Sequence, residues 1–215
     1  MGEPVRSRSW TGPGGETKRG VHIPNASTLN GIAIDGKAAI DGKAAIYKVG
    51  DKVVYPHHGA GKVLKKEKRE VLGDLREYLT IKILHNDMTV MVPTDSADRA
   101  GLRRVIAEGA VEKVLCVLRE DMSQMPKNWN RRFKHNRDKM KTGDIFELAE
   151  VVRNLAIRDF QKGLSTGEKQ MFTRAKKILS SELMYALDMD EEGAEEYLDR
   201  LLEETNQERA GAAAK

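Results

Sequence analysis

The sequence predicts an α+β fold, in which a small antiparallel β barrel is followed by an all-helical domain of about five helices. Residues 47–93 contain short runs of β-branched residues separated by turn residues, which is typical of a compact antiparallel sheet. Beyond Gly101 the spacing between apolar residues lengthens from two to three and four, which indicates helices. A chain of 215 residues is long enough for two small domains.

The barrel is predicted from turn residues and from apolar residues at alternate positions. We expect Gly59-Ala60-Gly61 to break the chain after a first strand, and Gly73-Asp74 and Asn86-Asp87 to form turns between later strands. About five strands within some 50 residues favour an SH3-like or Tudor-like barrel. The strands that can be assigned individually are 53–55, 62–71, 78–84 and 88–92.

The helices are predicted from apolar stripes and from capping residues. Asp144 is a plausible N-cap of the third helix, and Ser165-Thr166-Gly167-Glu168 is a capping box that opens the fourth. Cys116 lies within the first apolar pattern, so we expect a core residue. The five stripes begin at Val111, Trp129, Ile145, Phe172 and Ala194.

Composition and charge divide the chain into four segments. Residues 1–46 are rich in Gly, Ser, Thr and Pro and contain the sequence IDGKAA twice, so we expect a disordered extension and assign it no function. The formal net charge is +4, but residues 112–187, most of the predicted helical domain 108–187, are basic, whereas residues 188–215 form an acidic helical tail. This distribution favours a polyanionic partner for residues 112–187, although a solvated helical surface would look the same. The barrel domain occupies residues 47–107.

Several functional classes find no support in the sequence. No apolar stretch is long enough to cross a bilayer, and a single cysteine suits a reducing compartment, so we expect a cytoplasmic protein that does not bind membranes. Phosphate-binding and zinc-protease motifs are absent, so no catalytic residue or cofactor is predicted. His57 and His58 are adjacent and would point to opposite faces of a strand, which disfavours a metal site.

The segment around Trp129 combines an aromatic side chain with cations. Arginine and lysine neutralise phosphates, and a large apolar side chain between them can wedge between base steps in a minor groove. Alternatively, Trp129 is a core residue that packs on Phe133 one helical turn away. Spacing alone leaves both interpretations open. Two further basic features, the charged strand around Arg69 and Lys169 at a helix start, also have ordinary surface interpretations.

Five motifs, taken together and in order, resemble the CarD/CdnL family of bacterial regulators that bind RNA polymerase. The resemblance covers roughly residues 47–187 and leaves residues 1–46 without a counterpart. The motifs are YKVGDKVVYPHHG at 47–59, MVP at 91–93, GLR at 101–103, NWNRRFK at 128–134 and GLSTGEK at 163–169.

The resemblance implies a monomeric transcription regulator that is not an enzyme. It implies that the Tudor-like domain binds the polymerase β subunit, with Arg69 as a basic contact and Met91 at a position where some members carry arginine. It further implies that Trp129 enters the minor groove of promoter DNA at the upstream edge of the bubble and stabilises the open complex. The residues implied to lie near the DNA backbone are Arg131, Arg132, Lys134 and Lys169.

Two other functions remain alternatives to this one. An architectural protein could bind DNA without polymerase, in which case the purified protein would bind duplex DNA tightly by itself. An enzyme of unrecognised type would require a polar pocket around His57 and His58.

Overall fold

The computed structural model describes residues 47–56, 58–71, 73–84 and 88–213. The predicted extension 1–46 with its repeat, His57 and the predicted Asn86-Asp87 turn lie outside these ranges. Within them the chain forms five strands and then five helices, which confirms the predicted α+β class.

The sheet is entirely antiparallel, with the strand order β4-β3-β2-β1-β5. Leu79, Ile81 and Ile83 alternate along β3 and are fully buried, because successive side chains of a strand point to opposite faces. Tyr47 is buried beside them and donates a hydrogen bond from its hydroxyl to the carbonyl oxygen of Leu102, at 2.7 Å. The strands are β1 (Lys52–Tyr55), β2 (Gly59–Val71), β3 (Asp74–Ile83), β4 (Thr89–Pro93) and β5 (Arg103–Arg104).

Two predictions about the sheet are wrong. The glycines at 59–61 do not interrupt the chain but begin β2. A Cβ atom at Gly61 would lie 2.5 Å from the carbonyl oxygen of Lys82 on β3, so glycine is required there for close approach of the strands. The last strand, β5, lies beyond Gly101, in a region predicted to be helical. It is only two residues long and is fixed by pairing with β1.

The helices begin where the capping residues predict. Asp144 caps α3 by accepting a hydrogen bond from the backbone N–H of Phe146 at 2.7 Å, and Ser165 and Glu168 form a complete capping box at the start of α4. Both predicted caps are therefore confirmed. The helices are α1 (Glu108–Arg119), α2 (Trp129–Thr142), α3 (Ile145–Lys162), α4 (Thr166–Ala186) and α5 (Glu191–Ala213).

The helical core draws apolar side chains mainly from α1, α3, α4 and α5. Leu198, Leu201 and Leu202 of α5 are buried in it, so the acidic segment packs as part of the domain. Cys116 is exposed, which contradicts the core prediction. It follows the buried Leu115 by one residue and is therefore rotated about 100° from the buried stripe.

The sheet and the helices meet at α4. The backbone N–H of Ala60 donates to Ser181 Oγ at 2.9 Å. The guanidinium of Arg103 on β5 forms a two-pronged ion pair with the fully buried carboxylate of Glu182, with 2.7 Å between Nη2 and Oε2. The same carboxylate accepts a hydrogen bond from the backbone N–H of Ile106. These contacts hold α4 against the sheet.

Across the described helices, none is both long enough and apolar enough to span a lipid bilayer.

Candidate functional site

Trp129 is the first residue of α2 and follows the N-cap Asn128. Its indole stacks on Phe133, with ring centroids 5.3 Å apart and ring planes inclined by 22°. The indole Nε1–H donates to Ser165 Oγ at 2.9 Å. Even so, 43% of the residue remains exposed. The ring thus packs on Phe133, as the core interpretation expects, but Trp129 is not a core residue, since it still presents a large aromatic surface to solvent.

Ser165, which is exposed, contacts a polar cluster whose other two members, Glu168 and Arg132, are buried. The Ser165 hydroxyl donates to Glu168 Oε2 at 2.9 Å, and the Arg132 guanidinium donates from Nε to Glu168 Oε1 at 2.7 Å. Glu168 is 1% exposed and Arg132 is 5% exposed. Arg132 also donates to the carbonyl oxygens of Lys127 and Pro126. The cluster therefore joins the segment before Trp129 to the first turn of α4.

The charge on Glu168 is stabilised within this cluster. Burial by itself would raise the pKa of the Glu168 carboxyl, but hydrogen bonds from Arg132 and from the backbone and hydroxyl of Ser165 outweigh it. The pKa of Glu168 consequently lies below its usual range. The carboxylate is thus kept ionised and acts only as an acceptor.

Three of the four cations expected near DNA are exposed: Arg131 and Lys134 on α2, and Lys169 in the first turn of α4. Arg132 departs from the expectation. Its side chain is buried and its guanidinium is occupied by Glu168 and two backbone carbonyls. The sequence places Arg132 beside Arg131, but its acidic partner lies 36 residues further on. Arg132 is therefore not part of an exposed basic surface with Arg131, Lys134 and Lys169.

The structure adds cations that the sequence analysis did not single out. Arg174 and Lys177 line a groove along α4 together with Lys169, and both are exposed. Positions 169, 173 and 177 recur at every fourth residue, so this polar face could have been read from the sequence. A second groove lies between Pro56 of the sheet domain and helices α2 and α4. Its lining includes Phe133, Met140, Met171 and Ile178, and its charged lining residues are Arg137, Lys141 and Arg174.

The residues implied to contact polymerase lie on one face of the sheet. Arg69 pairs with Arg76 of β3, and Met91 pairs with Thr80 of the same strand. Residues 76 and 80 are an even number of positions apart, so Arg69 and Met91 project from the same face. Met91 is 39% exposed.

Arg69 is held by a neighbour on its own strand. Glu67 accepts from Arg69 at 2.7 Å and from Lys65 at 2.9 Å. The hydrogen bond from Lys65 and those from Arg69 lower the pKa of the Glu67 carboxyl. All three side chains are at least partly exposed. We call the face that carries Arg69, Glu67, Lys65 and Met91 the outer sheet face.

A metal centre finds no support in the described part of the chain, where no three His, Cys, Asp or Glu side chains are grouped as ligands. His58 stacks on Tyr55, with ring centroids 5.2 Å apart, while its predicted companion His57 lies outside the described residues.

Two protein-family models match the chain in sequence. The CarD-like/TRCF RID domain matches residues 47–106, and the C-terminal domain of CarD matches residues 113–199. These ranges correspond to the sheet and to most of the helices.

Known proteins also resemble the chain. YdeB, a candidate transcription factor of Bacillus subtilis (strain 168), is 37% identical over 138 residues, which make up 64% of this chain and 90% of YdeB. The solution NMR structure of the 72-residue N-terminal domain of Myxococcus xanthus CarD is 33% identical, with a TM-score of 0.24, over 26% of this chain and 76% of that domain.

The two family models account for both domains in the expected order, and YdeB is matched over nearly its whole length. The chain belongs to the CarD family and is a transcription regulator of the CarD type.

Proposed function

We propose that this regulator binds the RNA polymerase β subunit through the outer sheet face and promoter DNA through Trp129 and the cations around it. Trp129 enters the minor groove at the upstream edge of the transcription bubble and stabilises the open complex. The observation that carries the proposal is the half-exposed indole at the start of α2, flanked by exposed Arg131, Lys134 and Lys169.

The wedge has a physical reason to prefer the open complex. Unstacking a base step costs a few kcal/mol in closed duplex, and less where the duplex already frays. An aromatic wedge therefore binds the bubble edge more tightly than closed DNA. A protein that binds the open form more tightly shifts the equilibrium towards it.

The cations have a complementary role. Arg131, Lys134 and Lys169 would each neutralise a phosphate and release counterions, which gives a salt slope of about −3 for three contacts. Arg174 and Lys177 continue the basic surface along α4. Such contacts fix the position of the protein on the backbone without reading the base sequence.

The polymerase contact is supported by the match of residues 47–106 to a domain shared with the transcription-repair coupling factor. Arg69 contributes a cation to the outer sheet face, whereas Met91 contributes an apolar side chain. Tethering to polymerase raises the effective DNA concentration to about the millimolar range, so a few phosphate contacts suffice.

Replacing Trp129 tests the wedge. Trp129→Ala removes the aromatic surface, so we expect a shorter open-complex lifetime on a defined promoter with unchanged binding to the polymerase β subunit. Met122→Ala is a matched control, because Met122 is also 43% exposed but lies in the segment between α1 and α2. An unchanged lifetime in Trp129→Ala would refute the wedge.

The alternative of a polymerase-independent architectural protein is separated by a binding measurement. This alternative requires the purified protein to bind duplex DNA tightly and not to co-purify with polymerase in a pull-down. The proposed function requires weak duplex binding alone and strong binding in the presence of polymerase.

A further inference from the structure

We infer that Glu168, Ser165 and Arg132 are positioning residues, which orient the Trp129 indole before it meets DNA. The inference rests on the proposed function of Trp129 and adds the residues that hold its indole in place.

The hydrogen bonds that link the indole to Glu168 through Ser165 each have a fixed donor and a fixed acceptor. The indole Nε1 can only donate, and it donates to Ser165 Oγ at 2.9 Å. The hydroxyl has one proton, which it gives to Glu168 Oε2, and two lone pairs, which accept from Trp129 and from the backbone N–H of Glu168. The proton and both lone pairs of the Ser165 hydroxyl are thus engaged. While Glu168 is ionised it can only accept, so the donors and acceptors in this chain of hydrogen bonds cannot exchange roles.

The plane of the indole is held from a second direction. Phe133 stacks against it at 5.3 Å, and a Cβ at Gly167 would come within 3.5 Å of both rings. Gly167 therefore lies directly against the two aromatic side chains. The hydrogen bond fixes one edge of the indole, and the stack fixes its tilt.

Arg132 extends the cluster beyond what helix capping requires. Ser165 and Glu168 satisfy each other's backbone N–H groups, and this capping box needs no partner from α2. Arg132 on α2 nevertheless donates a hydrogen bond to Glu168, and it also donates to the carbonyl oxygens of residues 126 and 127.

The way α2 docks supports a positioning role. The buried residues of α2 are Arg132 and Asn136, both of them polar. A buried ion pair gives little net stability compared with apolar packing, but it demands one geometry. Its effect is to fix the start of α2, which carries Trp129, against the start of α4, which carries Lys169.

The test uses the full chain and follows Trp129 directly. The sequence has two tryptophans, so Trp10→Phe leaves Trp129 as a single fluorescent reporter. In this background Glu168→Gln places an amide N–H₂ where Glu168 Oε2 accepted from the backbone N–H and the hydroxyl of Ser165. If Ser165 accepts from the new amide, it loses a lone pair that bound Trp129.

We expect the indole of Glu168→Gln to move more freely. Its time-resolved anisotropy should decay faster, its quenching by acrylamide should rise, and the open-complex lifetime should fall about threefold to tenfold, since ordering the side chain then takes place on binding. In a Trp129→Ala background the same substitution should not shorten the lifetime further.

Glu150→Gln is the matched control. Glu150 is a carboxylate on α3 that also accepts from one serine and one cation, Ser123 and Lys139, but it has no contact with Trp129. We expect it to leave the anisotropy and the lifetime unchanged. Should Glu168→Gln fail to fold by circular dichroism, Ser165→Gly replaces it, because glycine is tolerated at an N-cap while the acceptor for Trp129 is lost.

The outcomes separate this inference from the proposed function. Unchanged anisotropy in a folded Glu168→Gln or Ser165→Gly variant overturns the positioning role, as does an equal loss of lifetime in the Trp129→Ala background. If Trp129→Ala itself leaves the lifetime unchanged, the proposed function fails, and the anisotropy still decides whether the cluster holds the indole.

Discussion

Each of two surfaces, the outer sheet face and the Trp129 surface of Trp129, Arg131, Lys134 and Lys169, is accompanied by a glutamate that pairs with cations. The two glutamates differ in burial. Glu67 lies on an exposed strand and binds Lys65 and Arg69, two residues away on either side. Glu168 is buried and binds Arg132 from another helix. An exposed ion pair contributes little to the free energy of unfolding and its side chains rearrange readily, whereas a buried pair tolerates one geometry. One surface can thus adapt its charges to a partner, while the other is organised in advance.

The largest expected difference between the two surfaces is in stability. Glu168→Ala leaves the buried Arg132 guanidinium without its carboxylate, and we expect the free energy of unfolding to fall by about 3 kcal/mol. Glu67→Ala should leave it unchanged within error, because its partners remain solvated. Urea unfolding followed by circular dichroism measures both. Equal losses would show that the two pairs do not differ as the structure indicates.

A second prediction concerns the adaptable surface. Arg69→Glu reverses a charge on the outer sheet face, so binding to the polymerase β subunit should weaken about tenfold, mainly through slower association that depends on salt. A quantitative pull-down or surface binding assay measures the change. Lys113→Glu, a reversal at an exposed position of α1, serves as the control. Unaltered affinity in Arg69→Glu would move the polymerase contact away from Arg69.

The smallest effect is expected in the pH dependence of stability. The pKa of Glu168 is lower in the folded state than in the unfolded chain, where it is about 4.3. The resulting stability is present above that value and is lost as the pH falls through the folded pKa. We expect urea midpoints measured between pH 6 and pH 3 to fall less steeply for Glu168→Gln than for the wild type. Parallel curves would count against an ionised Glu168.

Local sequence signals predicted much of this fold. The capping residues Asp144 and Ser165 act within one helical turn, and the alternation of Leu79, Ile81 and Ile83 acts within one strand, so both can be read without knowing the fold. What escaped prediction depends on partners far along the chain.

One strand and two residues illustrate what the sequence does not reveal. β5 exists only because Arg103 and Arg104 pair with β1, some 50 residues earlier. Arg132 resembles its exposed neighbour Arg131 in sequence, and only the position of Glu168 in the folded chain distinguishes them. For Trp129, spacing alone left core and surface open, because its contact with Ser165 spans 36 residues.

Helix α4 connects the sheet to the Trp129 surface. Near one end Glu182 binds Arg103 of the sheet, and at the other Ser165 binds the Trp129 indole. The stretch between Ser165 and Glu182 rises about 25 Å, which equals roughly seven base-pair steps of 3.4 Å. If polymerase binds the sheet, as proposed, the length of this part of α4 determines which base step Trp129 can reach. Under the proposed function, we expect an inserted helical turn to move Trp129 by about 5.4 Å and so to change where it meets the promoter.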